Sequence, residues 1–382
     1  MAHYQLGLLG KARPTVVAKV RKELKARLLE LGLHRVRDVA IFVGPASGFN
    51  PANGRCAAAL CFQSDKKDNN HLASLVARGI PIVPIASAKG KFTKEVPTPL
   101  QGVNGLALDE STYANLVFAL LECAGLLPRQ RRAFISYRRE EATNAALQLY
   151  ADLSARGFDV FLDTHKIHPG EHFQDVLWHR LCDCDVLLML DTKGYFESRW
   201  TNEEFGRALA RGLAFVRVGW PAVDLNPRAG AAVNIELKKG DMRRGDSLTA
   251  GILKRICAEV EGARTKSVAV RFEQLIETLR RAVQKVGGKI DGVSLRRQIM
   301  VSLPKKKPIA VYPALGVPTT YMLQDATLDA HTPPAAVVYD EVGLDKRAWR
   351  EHMDWIGKHL HHVVRLVPSY SAGWDFIGWH TP

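Results

Sequence analysis

The chain has 382 residues, a formal net charge of +14 and a hydrophobic share of 47%, which predicts two or three globular domains and excludes a disordered chain. No apolar run is long enough to span a bilayer, and the apolar start of the chain lacks the length and charge order of a signal peptide. We therefore expect a cytoplasmic protein with no membrane partner. The six cysteines form no CxxC pair, and the tail histidines complete no metal-ligand triad, so structural thiols and no metal are expected.

Residues 1–128 are predicted to form a first α/β domain. Apolar residues at helical spacing predict a helix between Pro14 and Gly32. Short apolar runs then alternate with helical segments; the predicted strands are 39–43, 57–62 and 80–85, and the predicted helices are 71–78 and 113–121. This alternation predicts a Rossmann-like parallel sheet with helices on both faces.

Residues 129–222 are predicted to form a second, central α/β domain. The predicted strands are 133–137, 159–163, 185–190 and 214–218, and the predicted helices are 141–156, 173–181 and 200–211. Strands at such even spacing predict a compact, doubly wound parallel sheet.

The pattern is weaker in the last 160 residues. Residues 223–288 are predicted as a loop and helical connector, with loop at 226–246 and two amphipathic helices at 248–260 and 268–286. Residues 289–382 are predicted as a small α/β domain, with apolar runs at 309–312 and 335–339, a helix at 345–361 and a strand at 363–367. Four of the seven tryptophans lie in this tail, which predicts a packed core or a ligand surface.

Five segments of the central domain occur in the order of a known family. They are FISYRRE at 134–140, DVFLD at 159–163, HPGE at 168–171, CDVLLML at 184–190 and SRWTNEEF at 198–205. Together they resemble the TIR (Toll/interleukin-1 receptor) domain, over about a quarter of the chain, and the chain is similar to bacterial TIR effectors of immune defence. The resemblance implies a flavodoxin-like sheet for the central domain. Residues 75–126 resemble a degenerate second half of such a domain, without its Trp-x-x-x-Glu element.

The resemblance implies an enzyme that cleaves NAD⁺ at the nicotinamide–ribose bond, an NAD⁺ glycohydrolase or cyclase. The leaving group already carries positive charge, so one carboxylate that stabilises an oxocarbenium-like transition state is enough, and the motif assigns this role to Glu204. Trp200 lies four residues earlier, on the same face of a helix. Substrate-binding roles are expected for Trp200, Arg138, Arg139, Asp163 and Ser136, and the arginines suit the pyrophosphate.

The resemblance also implies how such a protein is controlled. The loop at His168, Pro169 and Gly170 is expected to mediate assembly rather than chemistry. We expect self-association through TIR domains, an unidentified activating ligand or protein, and a role in anti-phage defence or cell suicide. NAD⁺ is the substrate, and no cofactor is expected.

Two other interpretations remain open at this stage. TIR domains include adaptors without activity, so the chain can be an interaction or scaffold module. The basic charge, together with Gly44-Pro-Ala-Ser-Gly48 after a strand, also fits a nucleotide or nucleic-acid sensor. This glycine loop lacks the spacing of a P-loop, and the basic residues are not interleaved with aromatics, so nucleic acid is weakly supported.

Overall fold

The computed structural model describes residues 2–34, 36–127, 130–162, 182–197, 212–330, 333–341, 344 and 347–380. The chain divides into two compact units. Unit 1 comprises Met1–Leu126, Phe272–Glu341 and Arg347–Pro382, and unit 2 comprises Leu127–Arg271 and Val342–Lys346. Among the helices of the described ranges, none has the length and apolar character needed to cross a membrane.

The first sheet of unit 1 is fully parallel, as predicted. Its strands are β1 (Tyr4–Leu9), β2 (Val39–Gly44), β3 (Cys56–Cys61), β4 (Ile82–Ala86) and β5 (Leu106–Ala107), and its helices are α1 (Pro14–Glu30), α2 (Asn69–Ala77), α3 (Phe92–Glu95) and α4 (Tyr113–Cys123). The spatial order is β2-β1-β3-β4-β5. No strand is predicted before α1 from the sequence, yet β1 pairs with both β2 and β3. Its six residues have the usual length of a strand in a globular protein.

The sheet of unit 2 is also fully parallel. Its strands are β6 (Arg132–Ser136), β7 (Asp159–Leu162), β8 (Val186–Asp191), β9 (Ala214–Gly219) and β10 (Val233–Glu236), in the order β10-β9-β8-β6-β7. Counted along the chain this is 2-1-3-4-5, the order of flavodoxin-like folds. Alternate residues of β6 and β8 belong to two separate apolar clusters, so both faces of the sheet are covered. Helix α5 (Arg139–Ala155) follows β6.

Two elements of unit 2 differ from the sequence prediction. Strand β10 lies inside the predicted loop 226–246 and pairs with β9. The sheet of the central domain therefore continues past the predicted domain end at residue 222. Helix α6 (Ala250–Gln284) is one continuous helix of 35 residues where two were predicted. The polar stretch between the two predicted helices looked like a linker, but Glu261, Arg264 and Thr265 in it are buried.

The third sheet belongs to unit 1 and is mixed. Its strands are β11 (Lys289–Val293), β12 (Ile299–Ser302), β13 (Ile309–Ala314), β14 (Ala335–Tyr339) and β15 (Val364–Pro368), in that spatial order, and its helices are α7 (Thr320–Asp329), α8 (Arg347–Leu360) and α9 (Ala372–Ile377). Pairs involving β12 are antiparallel, whereas β13, β14 and β15 are parallel. Strands β11 and β12 and helix α7 were not predicted, because each is short and interrupted by polar residues.

Unit 1 joins the predicted first and last domains. The Asn104 side-chain amide donates to Gln298 Oε1 at 2.6 Å, and Arg297 Nε donates to the Cys123 carbonyl at 3.0 Å. These polar contacts link residues more than 170 positions apart. Sequence spacing carries no signal for such pairing, which explains why four consecutive domains were predicted.

A buried charge network lies at the amino edge of the sheet in unit 2. Asp185, just before β8, accepts a hydrogen bond from the Arg132 amide at 3.1 Å. Its carboxylate also lies 3.4 Å from Arg264 Nε and 3.7 Å from Arg271 Nη1. Burial acts to raise the pKa of Asp185, but the three surrounding guanidinium groups lower it more, so the pKa lies below its ordinary value. The network fixes α6 against the starts of β6 and β8.

Replacing Asp185 tests whether this network stabilises the fold. Asp185→Asn leaves three buried cations without their shared anion, so the free energy of unfolding is expected to fall by about 3 kcal/mol or more. Urea denaturation of the full chain measures the change. The matched control is Asp159→Asn, at an exposed carboxylate at the start of β7, where a change within about 0.5 kcal/mol is expected.

Wild type and Asp185→Asn can also be compared as a function of pH. Because the pKa of Asp185 is lowered on folding, its contribution is present above the ordinary aspartate pKa and is lost as pH falls through the lowered value. The stability difference between wild type and Asp185→Asn should therefore shrink in acid. A difference below about 1 kcal/mol at neutral pH, or one that does not depend on pH, would contradict this role for the network.

Candidate functional site

The carboxyl edge of the parallel sheet in unit 2 contains the point at which the strand order reverses. Strand β6 lies between β7 and β8, so the chain leaves β6 toward one side of the sheet and later returns to its other side. Open parallel sheets bind ligands at such a switch point, outside the carboxyl ends of the strands. The residues after β6 and β8 therefore define the candidate site.

A buried hydrogen bond connects these two strand ends. Ser136 is the last residue of β6, and Tyr195 lies in the turn after β8; both are fully buried. The Tyr195 hydroxyl donates to Ser136 Oγ at 2.8 Å, and the Tyr195 ring packs edge-on against Phe196 with centroids 5.1 Å apart. The predicted substrate-binding residue Ser136 thus lies beneath the surface, where its hydroxyl positions the segment after β8. Its contact with substrate stays a prediction.

Arg138 lies at the switch point itself. Its side chain is about one-third exposed, and Nε lies 3.4 Å from Glu141 and 3.5 Å from Glu140. A Cβ added to Gly194 would come within 1.4 Å of Arg138 Nη1, so any other residue there would displace the guanidinium from this position. The sequence prediction named Arg138 but missed Gly194, which has no motif of its own.

Glu141 is a second residue that the sequence reasoning missed. Its carboxylate accepts a hydrogen bond from the Gly194 amide at 3.2 Å. The Thr192 hydroxyl is the largest cause of a lowered pKa at Glu141, and the Gly194 amide and the Arg138 charge act in the same direction. Glu141 is therefore anionic at neutral pH and holds Arg138 against residues 192–194. Glu141 follows Arg138 by three residues at the start of a helix, and this spacing is the sequence feature that could have indicated it.

Arg139 differs from its neighbour. It is the first residue of α5 and is exposed, and its carbonyl accepts a hydrogen bond from the Thr143 hydroxyl at 2.7 Å. The two arginines were predicted as equivalent pyrophosphate ligands. Among the described residues, it is Arg138 that lies against Gly194 in the segment after β8.

A second charge cluster lies further along the same edge. Arg217 on β9 is fully buried, and its Nε lies 2.5 Å from Asp191 Oδ2 at the end of β8. Its guanidinium also bonds Glu236 at the end of β10 and donates to the Val223 carbonyl at 3.2 Å. Burial raises the pKa of Asp191 despite the arginine beside it. The cluster connects the ends of three strands. In the sequence, a lone arginine inside an apolar strand is the feature that could have indicated it.

The remaining predicted site residues lie outside the described ranges. They are Asp163, His168, Pro169, Gly170, Trp200 and Glu204. Their assignments to substrate binding, assembly and catalysis stay predictions.

The glycine loop after β2 is less suited to phosphate than its sequence suggested. Its backbone amide at Ser47 donates to Asp68 Oδ1 at 3.4 Å, and the Ser64 hydroxyl donates to the same carboxylate at 2.9 Å. These contacts give Asp68 a lowered pKa although burial acts to raise it. A buried anion already takes the amide that a phosphate would need, so the structure does not favour the sensor interpretation at this loop. Within the described residues, no cluster of three histidine, cysteine or carboxylate side chains is arranged to hold a metal.

Comparison with known proteins gives one family match. The family model for the TIR domain matches residues 133–255, a span that runs from β6 into α6 and includes β10. A search of curated proteins finds no match to this chain.

The bond between Ser136 and Tyr195 gives a test of the site's framework. Either Ser136→Ala or Tyr195→Phe leaves one buried hydroxyl without this partner and should cost about 1–2 kcal/mol of unfolding free energy. The double variant removes both hydroxyls and should cost less than the sum, with a coupling of about 1 kcal/mol in a double-mutant cycle. Additive losses would mean that the two hydroxyls do not stabilise each other.

Proposed function

Because the chain carries a TIR domain over residues 133–255, we propose that it cleaves NAD⁺ at the bond between nicotinamide and ribose. TIR domains include NAD-cleaving enzymes and non-enzymatic adaptors, and they commonly self-associate. The family match therefore supports a signalling or NAD-cleaving function, and the choice between the two depends on residues of the site.

The proposed reaction needs little machinery from the protein. Nicotinamide leaves as a neutral base from a cationic ring, so no acid has to protonate it. The ribose carbon gains positive charge as the bond breaks, and a nearby carboxylate stabilises that charge. We assign this carboxylate to Glu204, which follows Trp200 by four residues in the sequence. The indole stacks on the nicotinamide or excludes water in this assignment.

The observation that carries the proposal is the position of Arg138. A guanidinium lies at the switch point of the sheet, packed on the backbone of Gly194 and oriented by the anionic Glu141. Such a group can bind a pyrophosphate with two parallel hydrogen bonds. A dinucleotide held there by its pyrophosphate places one ribose over the sheet edge, where the segment after β8 begins.

The proposed setting is a cell-suicide or anti-phage response in the bacterial cytoplasm. A protein that consumes NAD⁺ must be inactive at rest, so we assign a regulatory role to residues 1–128 and 289–382, with self-association as the activating step. The product can be linear or cyclic, and a cyclic product would act as a nucleotide messenger.

A second candidate function is an interaction module without chemistry. The observation that favours it is a pair of exposed apolar side chains on α5, where Leu147 is 50% and Tyr150 is 41% exposed. Residues three apart lie on one face of a helix, so the two form a small apolar patch in the middle of α5. Self-association through this patch is compatible with both functions.

The first test is NAD⁺ turnover by the purified full chain at high protein concentration with a crowding agent. Wild type is expected to release nicotinamide, and Glu204→Gln is expected to lose at least about 100-fold in kcat because the stabilising carboxylate is gone. The matched control is Glu203→Gln, the adjacent carboxylate, which should keep turnover within about twofold.

Sedimentation of the same proteins separates the two candidate functions. Association that is preserved in Glu204→Gln, together with lost turnover, supports the enzyme. Association of wild type without any nicotinamide release would instead support the interaction module. Equal turnover by Glu204→Gln and wild type would remove Glu204 from the mechanism.

Arg138→Gln tests the pyrophosphate assignment. Since this residue is proposed to bind the unreactive part of NAD⁺, its loss should raise KM by about tenfold and change kcat little. Arg139→Gln changes an exposed residue of the same charge and should have a smaller effect. A KM unchanged in Arg138→Gln, or equal effects of the two substitutions, would contradict the role given to Arg138.

A further inference from the structure

A cavity of about 490 Å³ lies in unit 1, between helix α8 and the last two strands of the mixed sheet. Its lining residues are Tyr339, Trp349, Arg350, Met353, Asp354, Gly357, Lys358, Arg365 and Leu366. The volume lies in the range of small-molecule sites, which is roughly 300–1,000 Å³. All of these lining residues belong to unit 1.

Two aromatic rings form one end of the cavity. Tyr339, the last residue of β14, and Trp349, in the first turn of α8, meet edge to face with centroids 6.1 Å apart. The indole N–H of Trp349 donates to the Pro318 carbonyl at 3.2 Å, which fixes the orientation of this ring. Burial raises the pKa of Tyr339 to about 12, so its hydroxyl keeps its proton at neutral pH. The rings offer a fixed apolar surface to a planar group.

The charges of the cavity are ordered along α8. Arg350, Asp354 and Lys358 are exposed and recur every four residues, so they lie on one stripe of the helix. A rise of 1.5 Å per residue separates Arg350 from Lys358 by about 12 Å. Arg365 is used elsewhere, because its guanidinium lies over the Trp379 ring at 4.7 Å and its Nε donates to the His361 carbonyl. The stripe thus presents a cation beside the aromatic end, a carboxylate in the middle and a cation at the far end.

Gly357 leaves the space between these groups open. A Cβ built on Gly357 meets no atom within 4 Å, although the residue lies inside a 14-residue helix. Glycine in a helix interior costs about 0.5–1 kcal/mol relative to alanine. Neither close packing nor a positive φ requires glycine at this position, and its missing side chain adds to the volume of the cavity.

We propose that this cavity binds a nucleoside monophosphate. The base stacks on one of the two rings, Trp349 or Tyr339, and meets the other ring at its edge, because the rings are nearly perpendicular. Asp354 accepts hydrogen bonds from the ribose hydroxyls, and Lys358 binds the phosphate. The spacing of aromatic ring, carboxylate and cation along α8 matches the order of base, sugar and phosphate in such a ligand. The site goes beyond the proposed NAD⁺ cleavage and does not depend on it.

Calorimetric titration of the full chain with AMP tests the proposal, with adenosine and ribose 5-phosphate as half-ligands. AMP should bind at least about tenfold more tightly than either half, because each half lacks one end of the contacts. Gly357→Leu fills the cavity and should weaken AMP binding by at least about tenfold. The matched control is Gly251→Leu, a change at another helical glycine with open space around it, which should leave binding unchanged.

Lys358→Gln provides a second variant. It should weaken AMP binding by about tenfold and leave adenosine binding unchanged, because only the phosphate contact is lost. Thermal unfolding checks the fold of each variant, and Gly357→Leu should not melt earlier than wild type because leucine favours the helix. If Gly357→Leu unfolds at a lower temperature than wild type, AMP binding by Lys358→Gln decides whether the proposal holds. No binding of AMP, or AMP binding that Lys358→Gln leaves unchanged, would overturn the proposal, whatever the result for NAD⁺ turnover.

Discussion

The carboxylate of Asp185 lies at the amino edge of the sheet in unit 2, with the guanidinium groups of Arg132, Arg264 and Arg271 around it. A buried anion is tolerated only with such partners, and the partners come from β6 and α6. The network therefore fixes where β6 and β8 begin, and with them where the strands end. Because the site residues follow directly after those strand ends, the geometry at the carboxyl edge depends on a charge network at the opposite edge.

The carboxyl edge has its own supports, and each joins the ends of different strands. The hydroxyl pair of Ser136 and Tyr195 connects β6 to the turn after β8, and Arg217 connects the ends of β8, β9 and β10. Above this framework, Glu141 and the bare backbone of Gly194 position Arg138. A guanidinium oriented at a switch point in this way is suited to binding a charged ligand. This preorganisation supports the enzyme over an adaptor, for which the framework alone would suffice.

Periodicity and motif order predicted two kinds of element. One kind makes most of its contacts with residues nearby in the sequence, and the other appears in the sequence as a uniform apolar run. Strands β6 to β9 and helix α5 were predicted from the sequence within a few residues. Several of the errors share a physical cause, because the missed features are stabilised by distant partners. Strand β10 looked like loop because only one of its four residues is buried, and the middle of α6 looked like a linker because its polar side chains pair with Asp185 and Arg131. Gly194 and Glu141 were missed for the same reason.

We propose that the TIR domain consumes NAD⁺ when copies of the chain associate. Nicotinamide release measured from the wild-type full chain over a range of protein concentrations tests it most directly, with sedimentation at each concentration to follow assembly. The rate of nicotinamide release per chain is expected to rise with protein concentration as the associated fraction grows. An associated protein that releases no nicotinamide at any concentration would contradict it.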